Sequence, residues 1–209
     1  QPLKEIHLGL AHLGFPPSDL RASLGQQTLM LEAAAEATAL IAPLPADTTG
    51  VFIGMGVDAT IARHGLRLTQ GVDAVWSATN EGAAPALTPE GVVGAMPNIP
   101  ANRINAQRDW RGPGFTVSCE ELSGVAALTL GLRALRAGEL DAVLTGAVDL
   151  CCEPAHAAAL KAMFPEFAAP GDAAVAFVLK RRADALVAGD AILAVFDDIA
   201  GDVVLQDEA

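Results

Sequence analysis

Three short apolar runs bounded by turn-forming residues constrain this chain more than any other feature. Thr49-Gly50-Val51-Phe52-Ile53-Gly54, Leu140 to Val148 and Ala173 to Leu179 are too short for buried helices and too uniformly apolar for strands with one wet face. They read as strands buried on both sides, which requires helices above and below them. Helical patterns indeed separate them. Leu24, Leu31, Ala34, Ala35, Ala39 and Ile41 recur near helical spacing until Pro43 and Pro45 stop the pattern. Ser18-Asp19, after Phe15-Pro16-Pro17, suits a helix entry, and Thr88-Pro89-Glu90 opens another helix with a hydroxyl cap, a first-turn proline and an acid. A further helix is expected from Asn98 to Gln107, ending near Asp109, and a short one from Arg182 to Val187. Leu122 to Ala137 places Val125, Leu128, Leu132 and Leu135 on one helical face and ends at Gly138. With strands at Phe115 to Ser118 and Ala191 to Ile199, the reading is an α/β fold. It has a mostly parallel, five-stranded sheet with helices on both faces, and residues 1–209 form a single domain. Val57 to Leu87 has poor periodicity and reads as loops with short helices.

Composition removes several classes of function. With 52% apolar and 18% charged residues, the chain can bury a core and is not disordered. No apolar run approaches the roughly 20 residues of a spanning helix, so a soluble protein with no membrane role is expected. Thirteen basic against 25 acidic side chains give a net charge of -12, which repels a phosphate backbone and argues against nucleic acid. Cys119, Cys151 and Cys152 provide neither an even disulfide framework nor a metal-binding spacing, which points to a reducing, cytoplasmic setting. The start, Gln1 to Leu10, has no signal-peptide pattern and reads as a cut from something longer.

Few groups of residues suggest chemistry. Gly54-Met55-Gly56-Val57-Asp58-Ala59 matches the dinucleotide fingerprint G-x-G-x-x-A, but a poor helix follows and no strand ending in an acid lies about 20 residues on. A tight turn explains it better. His7, His12, His64 and His156 lack the spacing that sets two imidazoles on one helix face, so no metal is assigned. Gly112-Pro113-Gly114-Phe115-Thr116-Val117-Ser118-Cys119-Glu120-Glu121-Leu122-Ser123-Gly124 is different. A strand that turns sharply into a helix exposes its turn residues at the helix N-terminus, where free N–H groups favour negative charge. Local physics leaves three readings open: a thiolate nucleophile at Cys119, a carboxylate acid or base at Glu120 or Glu121, or acids that simply cap a helix.

That stretch resembles the β-ketoacyl synthase signature G-P-S-x-T-V-D-T-A-C-S-S-S-L. Gly112, Pro113, Thr116 and Val117 fall on identical positions and Ser123 on a signature serine. Gly25 to Ala34 looks like the family's D-P-Q-Q-R-L-L-L-E-A-A helix, and Thr49 to Gly54 like its T-G-V-F-V-G strand. Met96 to Asn105 is similar to the segment leading to the active-site strand. Gly138 to Leu150 resembles G-E-C-D-x-A-L-A-G-G-V-N-L, and Ala173 to Asp190 resembles G-A-G-V-V-V-L-K-R-L-x-D-A-x-x-D-G-D. The resemblance implies a thiolase-like half-fold, one half of the condensing-enzyme αβαβα sandwich, in which this chain is the N-terminal half.

The departures from that family pattern set the functional expectation. The alignment puts Glu121 at the nucleophile position, while Cys119 falls two residues early. The family's two histidines and lysine belong to a second half, before which this chain stops. Glu121 in this setting, with Phe15 to Leu20 ahead of the Gln26-Gln27 helix, looks like the chain-length-factor or ketosynthase-like domains of polyunsaturated fatty acid synthases. The resemblance therefore implies a catalytically silent domain with no cofactor of its own. Its partners would be an active ketosynthase and an acyl carrier protein whose phosphopantetheine carries the substrates, in a homo- or heterodimer near Phe115 to Ser118. The alternative is residual decarboxylase or thioesterase activity on malonyl or acyl thioesters through Glu121.

Overall fold

In a computed structural model of the chain, residues 6–9, 13–39, 41–56, 88–150, 154–166, 171–199 and 202–207 are described. Strand β1 (Thr49–Gly54) is buried at all six positions, as a run with no polar face demands. It pairs in parallel with β2 (Gly114–Val117) on one side and β3 (Ala142–Asp149) on the other. Strand β4 (Ala173–Lys180) runs back along β3, with Ala142 opposite Lys180 and Asp149 opposite Ala173. The sheet order is β2-β1-β3-β4.

Side chains of β1 and β3 alternate between two cores. Val51, Ile53, Leu144 and Val148 pack with Met30, Leu31 and Ala34 of helix α2 (Gly25–Ala39) and with Ala101 and Ile104 further along the chain. Phe52 and Val143 face the other way, against Ala127, Ala134 and Leu135. Helices cover both faces of β1 and β3, as their apolar runs require, but β4, expected to be buried on both sides, leaves Val175 and Phe177 exposed at 44% and 47%. The small helix α1 (Pro17–Arg21) begins at the second proline, whose missing N–H costs nothing in a first turn. Helix α3 (Pro89–Ala95) starts as expected, with the Thr88 hydroxyl accepting the Gly91 N–H at 3.1 Å. Helix α4 (Ile99–Arg108) ends on Asp109 in the left-handed conformation.

Three sequence expectations are corrected. Among the described residues the main sheet has four strands, not five. The expected last strand forms as β5 (Ala194–Ile199) but pairs antiparallel with β6 (Asp202–Asp207) in a separate two-stranded sheet. Only two residues connect them, so local hairpin closure wins over joining the larger sheet. Helix α5 (Ser123–Arg136) forms, with Leu128, Leu132 and Leu135 packed on the core as expected, but the face is centred on smaller residues and leaves Val125 outside it. Ala127, Gly131, Ala134 and Leu135 are buried, while Val125 is 59% exposed. Small residues let the helix backbone approach β3, and a Cβ on Gly131 would already lie 3.0 Å from Val143 Cγ1. The stretch from Val57 to Leu87 lies outside the described residues, as do Cys151 and Cys152.

The rim opposite the carboxyl ends of β1–β3 is held by charge. Helix α7 (Arg182–Ala188) follows β4, with α6 (Pro154–Met163) earlier in the chain. Arg181, between β4 and α7, donates to the carbonyls of Leu140 (2.7 Å) and Leu135 (3.3 Å) and pairs with Asp184 and Asp141. Asp141 in turn accepts the Thr48 hydroxyl at 2.7 Å. Lys180 donates to Asp190 at 2.5 Å, with the Asp190 side chain 5% exposed, and the other Asp190 oxygen accepts the Ala42 N–H at 3.0 Å.

The Lys180 ammonium, and then the Ala42 N–H, hold the Asp190 carboxyl below the usual carboxylate range. The Thr48 hydroxyl and Arg181 do the same for Asp141. A carboxyl whose pKa falls on folding adds stability that is complete above its ordinary pKa of about 4 and is lost as acid titrates it. Thermal melts should therefore fall as pH drops from about 5 to about 2. Asp190→Ala should cost about 3 kcal/mol at neutral pH, by leaving the Lys180 ammonium buried alone, and should flatten that acid limb. An unchanged limb in the variant would assign the acid sensitivity to other carboxylates.

Candidate functional site

The strand–turn–helix unit is built from the sheet upward. Gly112 passes so close to Thr49 that a Cβ would lie 2.2 Å from the Thr49 carbonyl oxygen, and the Asn105 amide donates to the Gly112 carbonyl at 3.2 Å. Gly114 lies against the same Asn105 side chain, and Phe115 stacks on Phe52 with ring centroids 4.4 Å apart. Strand β2 is thus seated on β1 and α4 before it turns. At its end Val117 stands beside Gly54 and accepts the Met55 N–H at 3.0 Å.

Ser118 to Leu122 then form the elbow, at the carboxyl ends of the parallel strands. Glu120 has φ of 50°, the left-handed conformation, which costs a non-glycine residue roughly 1–3 kcal/mol. Ser123, 4% exposed, ties the turn together. Its hydroxyl donates to the Glu120 carbonyl at 2.6 Å and accepts the Cys119 N–H at 2.9 Å, while its own N–H reaches the same Glu120 carbonyl at 3.1 Å. Beneath it, β1 and the first turn of α5 touch through backbone alone. A Cβ on Gly54 would lie 2.4 Å from the Ser123 carbonyl group and 2.5 Å from the Gly124 nitrogen.

The elbow brings Cys119, Glu120 and Glu121 together, and all three side chains are exposed. Cys119 is a free thiol, so local geometry offers solvent one thiol and two carboxylates at the entrance to a fourteen-residue helix. Leu122 and Val125 are also exposed beside them, at 55% and 59%. Sequence reasoning matched Ser123 to a signature position but gave it no role. Its hydroxyl three residues beyond Glu120 was the available sign of a side chain closing the turn on itself. Asn105 was likewise quoted within a resembling segment without its function of seating the Gly112–Gly114 entry.

The described residues thus form an α/β fold, a mixed sheet covered by helices with a strained elbow leading from strand into helix. The ketosynthase from module 6 of the bacillaene synthase from Bacillus subtilis 168 shares this fold: the match has a TM-score of 0.60 at 22% identity, and covers 88% of this chain and 29% of that one. The β-ketoacyl synthase, N-terminal domain family matches residues 11–196, and the chain belongs to that family. Similar proteins include a highly reducing polyketide synthase from Dothideomycetidae sp. (strain 11243), 32% identical over 148 residues, which are 68% of this chain and 5% of the relative. A non-reducing polyketide synthase from Penicillium canescens is 30% identical over 194 residues, 84% of this chain and 7% of the relative. The phthioceranic/hydroxyphthioceranic acid synthase from Mycobacterium tuberculosis (strain ATCC 25618 / H37Rv) is 35% identical over 121 residues, 51% of this chain and 6% of the relative. The chain thus spans only a small fraction of the length of these relatives, and is a ketosynthase-like domain.

Two substitutions test the geometry of the elbow. Gly54→Ala should destabilise by about 2 kcal/mol or more, because its methyl group meets backbone that cannot rotate away. Glu120→Gly should stabilise by about 1 kcal/mol, the relief of the left-handed strain less the extra chain entropy of glycine. Urea denaturation measures both, and a neutral Gly54→Ala would show that α5 is free to move off β1.

Proposed function

We propose that this domain is a catalytically silent ketosynthase-like partner of the chain-length-factor type, working beside an active ketosynthase in a polyketide or polyunsaturated fatty acid synthase. The observation that carries the proposal is the content of the elbow: the geometry of a nucleophile mount is present, but the position aligned with the family's nucleophile is Glu121. A carboxylate is a poor acyl carrier, because the mixed anhydride it forms hydrolyses readily, whereas a thioester persists long enough to be elongated. Cys119 lies two residues before that position, on the other side of the left-handed Glu120. Such a domain acts through its surface and through the shape it lends to a neighbouring acyl site. Its substrates stay on the phosphopantetheine of an acyl carrier protein, and a dimer with the active ketosynthase is the expected assembly.

Intact-protein mass after incubation with malonyl and long-acyl thioesters, with released carbon dioxide counted alongside, tests this reading. The expected result is no adduct and no release. An acyl adduct on Cys119, or carbon dioxide release lost in Glu121→Gln, would overturn it in favour of a working decarboxylase or thioesterase. Glu121→Cys should also fail to yield ketoacyl product from this chain alone. The new thiol would stand next to the Glu120 carboxylate, which disfavours the thiolate, and none of the chain's histidines belongs to the strand–elbow–helix unit. Condensation product from that variant would sink the proposal.

A further inference from the structure

We draw no further inference here: the strongest candidate, the exposed apolar patch of Val175 and Phe177 on β4 beside the outward side of α5, carries nothing because no observation in the structure shows what covers it.

Discussion

The elbow depends on one contact, the meeting of the Gly54 backbone with the Ser123–Gly124 backbone. No side chain intervenes there, and the missing Cβ of Gly54 is what allows it. Strand β1 is buried along its whole length and paired on both sides, so its end has little freedom. The first turn of α5 takes its position from that end. An exposed turn is thereby fixed by the core, and what it displays can change without changing where it stands.

The two ends of the parallel strands are built by different means. At the far rim Arg181 gathers the end of α5, the loop into β3 and the start of α7, while Thr48 ties the start of β1 to Asp141. Half-exposed ion pairs are individually weak, but Arg181 also satisfies two backbone carbonyls, one of them in the last turn of α5. The Lys180–Asp190 pair is better shielded and binds the end of β4 to the stretch after α2. At the elbow end, by contrast, the charged side chains of Glu120 and Glu121 face solvent. Ion pairs hold one rim, while backbone packing and the Ser123 hydrogen bonds hold the other and leave its charged side chains in solvent.

Most of this architecture was legible because burial on both faces leaves a plain trace. Thr49 to Gly54 had to be an interior strand, and Thr88-Pro89-Glu90 had to open a helix, whatever surrounded them. Reading failed where contacts rather than periodicity decide. Helix α5 packs through Ala127, Gly131 and Ala134, residues whose small size counts for little in a search for large apolar faces, so Val125 was assigned inward and points outward. Gln27 is buried among the apolar positions of α2 because its amide donates to the Gly94 and Met96 carbonyls, at 2.7 and 3.1 Å. No local pattern encodes that partner 67 residues away. Strand β6 was missed because acids at both ends hide a short apolar run that, among the described residues, pairs with β5 alone.

The strain at Glu120 could be taken as a sign of surviving catalysis, since left-handed non-glycine residues gather at active sites. The surrounding structure accounts for it without that. The turn must carry the chain from the end of β2 to a helix start already fixed against Gly54, and the Ser123 hydroxyl locks that path by bonding to both Cys119 and Glu120. Nothing in that arrangement requires a nucleophile at Glu121. Packing against Gly54 and the Ser123 hydrogen bonds together maintain the elbow, so its geometry reports the fold and not the chemistry of its side chains. Cys119 precedes the left-handed residue and Glu121 follows it, and both side chains are exposed.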